Sequence, residues 1–153
     1  MPTHNSVISV STSINQSIEL TWEAFNTPQH MLNWARSSND WIVKEAKNDL
    51  RIGGELKVIL TTAEGSIFLQ YCGNYQEIDL NKHLSILLED GRTLDISFSS
   101  NHDMTTVQLQ IEAVEEQDTD VQELGWQSLL DNLKIYSESV TEELKKSDSF
   151  YEK

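Results

Sequence analysis

The last long periodic segment of the chain covers residues 121–140 and reads VQELGWQSLLDNLKIYSESV. Its apolar residues recur at steps of three and four, which places on one helical stripe Trp126, Leu129, Leu130, Leu133, Tyr136 and Val140. Residues 51–113 read instead as strands and turns. A helix that follows a run of strands must bury its stripe against their sheet, because no other surface is left to cover it. A curved sheet wrapped on one helix leaves room for a cavity between them.

Alternation of apolar and polar residues predicts the strands. Residues 7–14 form the first, with Ile8, Val10 and Ile14 directed inward. Further strands are predicted at residues 41–46, 55–62, 66–78, 83–89, 92–99 and 104–114. Turns are predicted at the glycines between them, and the long strand is expected to bend near Gly73.

Two short helices are predicted between the first two strands. Ser17 is a suitable cap for a helix over residues 17–26, and Thr27-Pro28 is typical of the start of a second helix. The predicted class is therefore α+β. It consists of a curved antiparallel sheet of about six to seven strands wrapped on a long C-terminal helix, with two short helices after strand one.

Composition and charge exclude several classes of partner. The 153 residues suit one domain with a substantial core, and the net charge is −14. No Lys or Arg lies between Arg92 and Lys134. Nucleic acids and anionic membrane surfaces are bound mainly through cationic side chains, so neither is an expected partner. No apolar run approaches the roughly 18 residues of a membrane span, and the polar N-terminus favours a cytoplasmic location.

The reactive residue types form no catalytic or metal-binding pattern. Cys72 is the only cysteine, and it is expected to be an unreactive strand residue that is buried or half-buried. The four histidines do not have metal-ligand spacing: His4, His30, His83 and His102. No nucleophile motif and no phosphate-binding glycine loop occurs. The sequence therefore predicts no metal, no cofactor and no catalytic residue.

Four local strings share one resemblance. They are SIELTWEAFNTP at residues 17–28 with Trp34 beyond it, DLRIGGEL at 49–56, GNYQEI at 73–78 and GWQSLLDNL at 125–133. Their order and spacing resemble the helix-grip fold of the START-like (SRPBCC, Bet v-like) superfamily. Within it, they are most similar to the branch related to the C-terminal domain of the activator of heat-shock protein 90 ATPase. The resemblance covers roughly residues 7–140.

The resemblance implies one START-like domain over residues 1–153, with its core at 7–140 and a polar tail at 141–153. Ala35 stands where the branch usually has a second tryptophan after the one matching Trp34, so a stacked aromatic pair is not expected there. The full co-chaperones carry an additional N-terminal domain, which is not expected in this single-domain chain. ATPase activation is therefore not expected to follow from the resemblance.

Three functions are weighed. The first is a non-catalytic module that holds a small hydrophobic ligand between sheet and helix. Its predicted cavity residues are Trp34, Trp41, Phe68, Tyr71, Phe98, Trp126, Leu130 and Leu133. The second is a co-chaperone-like protein-interaction domain, which would meet a basic partner through Glu115, Glu116, Asp118 and Asp120. The third is a START-like cyclase or hydrolase. The sequence leaves both a monomer and a homodimer open.

Overall fold

The computed structural model describes residues 6–139, which form one sheet and three helices. The first half contains β1 (Val7–Ile14), α1 (Ile18–Asn26), α2 (Pro28–Trp34), β2 (Trp41–Asn48) and β3 (Glu55–Thr62). The second half contains β4 (Phe68–Asp79), β5 (His83–Leu88), β6 (Thr93–Asn101), β7 (Met104–Glu112) and α3 (Thr119–Ser139). The predicted tail at 141–153 and Val140 lie outside the described residues.

The seven strands form one antiparallel sheet in the order β1-β7-β6-β5-β4-β3-β2. The two strands that flank the short helices therefore lie at opposite edges. The sheet curls around α3, and α1 and α2 span the distance between its edges. This arrangement confirms the predicted α+β helix-grip class, because the alternating strands bury one face and the helices cover it.

The closing helix buries the predicted stripe. Leu130 and Leu133 are completely buried, and Trp126, Leu129 and Tyr136 pack partly buried against the same core. The helix begins at Thr119, two residues before the predicted start. Within residues 6–139, no helix is long and apolar enough to cross a membrane.

The helices are distributed unevenly over the sheet. α3 packs mainly against β1, whereas α2 packs mainly against β2. The most densely buried residues accordingly come from the β1, β7, β6 and β5 side, and include Ile8, Leu84, Ile86, Ile96 and Leu109. Strands β3 and β4 lie between the two helices and receive less cover from either.

The paired glycines form a turn that is fastened to the middle of β4. Gly53 has a positive φ of 81°, a conformation that costs glycine little. Its N–H donates to the carbonyl of Tyr75 at 2.8 Å, and the Tyr75 N–H donates to Gly54 at 3.0 Å. The register of β4 against β5 shifts between Tyr75 and Glu77. The predicted irregularity of this strand therefore lies two residues beyond Gly73.

Candidate functional site

A cavity of about 530 Å³ lies between the concave face of the sheet and the inner sides of α2 and α3. It exists because α3 packs mainly against β1 and α2 packs mainly against β2, so that β3 and β4 receive little cover from either helix. Small-molecule sites in proteins typically enclose about 300–1,000 Å³. The space is therefore large enough for a small organic molecule.

The sheet side of the cavity is apolar. Antiparallel register pairs Val58 with Tyr71 and Leu60 with Leu69, so these four side chains point to the same concave face. Strand β6 extends this wall with Leu94 and Ile96. Aliphatic and aromatic side chains favour an apolar molecule on this side, because contact removes both surfaces from water.

The helix side uses a second stripe of α3. Val121, Gly125 and Leu129 recur every four residues and line the cavity, and Leu129 also belongs to the apolar stripe that packs against the core. Gly125 has no atom within 4 Å of the position where a Cβ would stand, so it leaves open space at the wall. The sequence prediction missed Val121 and Gly125, because neither belongs to the strongest apolar stripe.

Trp126 belongs to the wall of the cavity and does not fill it. Its ring lies 6.5 Å, centroid to centroid, from that of Tyr71 on the opposite side. Trp126 is half-buried, and Tyr71 keeps 49% of its surface accessible. The two rings, one from the helix and one from the sheet, form a tilted aromatic pair that is part of the cavity wall.

Trp34 forms the floor beneath α2. Its indole N–H donates to the carbonyl of Ala24 at 2.8 Å, and its ring centroid lies 5.2 Å from that of Phe25. These contacts fix the ring in one orientation. The neighbouring Ala35 also lines the cavity. The small residue at the position where the branch usually has a second tryptophan therefore lies on the cavity wall.

Polar groups are concentrated at the end of β5 and the start of β6. The Arg92 side chain donates from Nε to Asp90 Oδ2 at 2.8 Å and from Nη1 to the Glu112 carbonyl at 2.8 Å. Burial alone would raise the pKa of Asp90, but the hydrogen bonds and charge of Arg92 outweigh it and lower that pKa. Asp90 and Arg92 therefore form an ion pair on the cavity wall.

Tyr71 supplies a hydroxyl to the same wall. Desolvation by burial raises the pKa of Tyr71, and the nearby positive charge of Arg92 offsets this rise only in part. The hydroxyl consequently stays protonated at neutral pH and remains a donor. No other residue in the range 6–139 forms a hydrogen bond with it. A bound molecule is therefore a suitable partner for this group.

The structure brings together four of the eight predicted cavity residues. Trp34, Trp41, Tyr71 and Trp126 line the cavity. Phe68 lies on the outer face, 57% exposed, with Lys44 Nζ 5.0 Å from its ring centroid. The remaining three belong to the packed core: Phe98, Leu130 and Leu133.

Strand periodicity explains the place of Phe68. Residues three apart in a strand point to opposite faces, so Phe68 and Tyr71 cannot both face the cavity unless the strand is irregular between them. The register shows no irregularity there. Three further residues line the cavity and were not predicted to do so: Met31, Arg36 and Arg92. Loop and short-helix positions have no periodic pattern that would indicate where their side chains point.

The acidic segment of residues 115–120 lies beside the cavity and continues into the first turn of α3. Glu115, Glu116, Asp118 and Asp120 are all exposed. Gln117, which lies among them, lines the cavity, and its carbonyl accepts from Gln122 Nε2 at 3.1 Å. Within the described part of the chain, no three His, Cys, Asp or Glu residues come together in a way that would hold a metal ion.

The sequence matches the family model described as Activator of Hsp90 ATPase homolog 1-like protein over residues 15–138. No curated protein matches it. Among solved structures, the chain is 32% identical to an AHSA1-like protein from Aeromonas hydrophila, with a TM-score of 0.84, covering 89% of this chain and 94% of that one. This family match and these structural neighbours confirm the resemblance to the START-like superfamily.

Two further solved structures are similar. A protein from Cytophaga hutchinsonii is 30% identical, with a TM-score of 0.76, covering 88% of this chain and 94% of that one. A protein from Nitrosomonas europaea is 18% identical, with a TM-score of 0.76, covering 91% and 99%. The second of these likenesses supports the fold alone.

Proposed function

The chain belongs to the family of Activator of Hsp90 ATPase homolog 1-like proteins, and we propose that it is a non-catalytic module that binds a small hydrophobic molecule between its sheet and α3. The observation that supports this most directly is the cavity of about 530 Å³ with its aliphatic and aromatic walls. Trp126 and Tyr71 provide aromatic surface, and the sheet provides an aliphatic one. Removal of these surfaces from water is the driving force for binding.

The proposed binding is tested with the tryptophans themselves. Three of them line the cavity, namely Trp34, Trp41 and Trp126, so a bound molecule changes their surroundings. Titration with a set of small hydrophobic compounds is expected to alter tryptophan fluorescence and to raise the melting temperature, since a ligand that binds only the folded state stabilises it.

A variant that fills the cavity tests whether the ligand binds there and not on another surface. Ala35→Phe places a ring in the cavity and is expected to weaken binding at least tenfold. Ala63→Phe adds the same ring to an exposed turn residue and is expected to leave binding unchanged. If no compound changes fluorescence or melting temperature, or if both variants bind like the parent protein, the proposal is wrong.

A second candidate function is interaction with a protein, which the family description and the exposed acidic segment favour. The four exposed carboxylates of residues 115–120 form a negative surface suited to a basic partner face. Purified Hsp90 is the first partner to test. Replacing these residues by Gln or Asn, or raising the salt concentration, should weaken binding. Binding that is insensitive to both would exclude this acidic surface.

A further inference from the structure

The cavity wall has a net positive charge in a chain whose own net charge is −14. Two arginines line it, Arg36 and Arg92, whereas Asp90 is its one carboxylate among the described residues. Asp90 is already paired with Arg92, at 2.8 Å between Oδ2 and Nε. The positive charge that remains without a matching carboxylate on this wall belongs to Arg36.

Arg36 is fixed in place from two directions. Its Nη1 donates to the carbonyl of Trp41 at 3.1 Å, at the start of β2. Its own carbonyl accepts from Asn132 Nδ2 at 2.5 Å, which ties this segment to α3. A guanidinium has five N–H donors, and only one is used here by a described residue. Within residues 6–139, Arg36 forms no ion pair.

We propose that the cavity takes amphiphiles with an anionic group, whose charge pairs with Arg36 while their apolar part lies against the sheet and Trp126. This inference rests on the proposed function and specifies its ligand class. The segment that joins α2 to β2 holds the guanidinium at one side of the cavity, and apolar side chains such as Met31 and Val58 form most of the remaining wall. Such a division suits a molecule with one charged end.

The charge contributes to selectivity because the site is only partly exposed to water. Arg36 is half-buried, so its interaction with an anion is screened less than that of a surface residue. Hydrogen bonds to a charged group are about twice as strong as neutral ones. A neutral molecule of the same length cannot form an ion pair with Arg36, and a cationic one is repelled by it. Tyr71 offers an additional donor on the opposite wall.

Three probes of equal chain length test the inference: dodecanoate, dodecanol and dodecyltrimethylammonium, each below its micelle-forming concentration. Calorimetric titration is expected to give dodecanoate about tenfold tighter than dodecanol, with the ammonium compound weakest. Arg36→Gln should remove the preference for dodecanoate and leave dodecanol within about twofold. Arg36→Lys keeps the charge and should retain part of the preference.

Arg51→Gln is the matched control. Arg51 lies outside the cavity with its side chain 77% exposed, so its loss should leave the preference intact. Melting temperatures of all variants establish that each is folded. Equal binding of dodecanoate and dodecanol would overturn this inference and leave the proposed function standing. A preference that survives Arg36→Gln would overturn the role of Arg36. If no probe binds, both proposals are wrong.

Discussion

Cys72 shows how one residue's chemistry follows from its neighbours. The sequence predicted an unreactive strand residue that is buried or half-buried, and in the structure Cys72 is half-buried in β4. Burial, together with the carboxylates of Glu55 and Glu89, raises its pKa to about 12. The thiol donates to Glu55 Oε2 at 3.1 Å, which further favours the protonated form. At neutral pH the sulfur therefore remains a thiol.

The thiol is expected to react slowly with alkylating reagents. At pH 8, folded protein should react with iodoacetamide at least a hundredfold more slowly than urea-unfolded protein, because the thiolate is the nucleophile. Glu55→Gln removes one carboxylate and should accelerate the reaction of the folded protein. Mass spectrometry of timed samples provides the rates. Equal rates in folded and unfolded protein would contradict the raised pKa.

At the scale of elements, α3 has two functions on adjacent stripes. Leu130 and Leu133 belong to the core, whereas Val121, Gly125 and Leu129 line the cavity. Periodicity predicted the helix and its core stripe, because an apolar repeat of three and four is sufficient to define them. It could not predict that Val121 and Gly125 line the cavity, since a wall that contains a glycine does not stand out from a solvent-exposed face.

Two glycines in different elements should respond oppositely to alanine. A Cβ on Gly73 in β4 would lie 2.7 Å from Ile86 Cγ2 and 2.8 Å from the Leu87 carbonyl, so Gly73→Ala should destabilise by about 1–3 kcal/mol. Gly125→Ala in α3 meets open space and should stabilise by up to about 1 kcal/mol. Urea denaturation measures both. The same sign for the two variants would contradict this account.

On the scale of the whole molecule, the end of α3 is bound to the opposite end of the chain. Glu138 Oε2 accepts from the Asn15 N–H at 2.8 Å and from Lys134 Nζ at 2.9 Å. Lys134 Nζ also donates to the Ser13 carbonyl at 2.6 Å. These bonds hold the helix against β1, while Gln122 fastens its first turns to Val114. The space over β3 and β4 consequently remains uncovered.

This attachment should be sensitive to pH. The hydrogen bond from Asn15, followed by that from Lys134, lowers the pKa of Glu138. The stabilisation that the ionised Glu138 gives to the folded state is therefore fully present above its unfolded-state pKa of about 4.3. It is lost as pH falls through the lower folded-state pKa. Glu138→Gln should cost about 1 kcal/mol or less at pH 7, because the carboxylate is partly exposed, and less at pH 3.

Urea denaturation at the two pH values measures this difference. Glu123→Gln is the control, since Glu123 is exposed on the same helix and forms no ion pair within the described residues. A loss of stability in Glu138→Gln that is equal at both pH values would show that the charge of Glu138 is not what stabilises the contact.

The sequence by itself determined the elements and the fold class, because apolar periodicity and turn glycines are local properties. It also identified four aromatic residues of the cavity wall. The same set of predicted cavity residues included four that lie elsewhere, namely Phe68, Phe98, Leu130 and Leu133. Only the tertiary structure decided between core, cavity and outer face. That choice depends on where α3 and α2 lie over the sheet, and their position is set by packing between distant segments. The same packing brought Arg36 to an apolar wall, a position that no local pattern indicates.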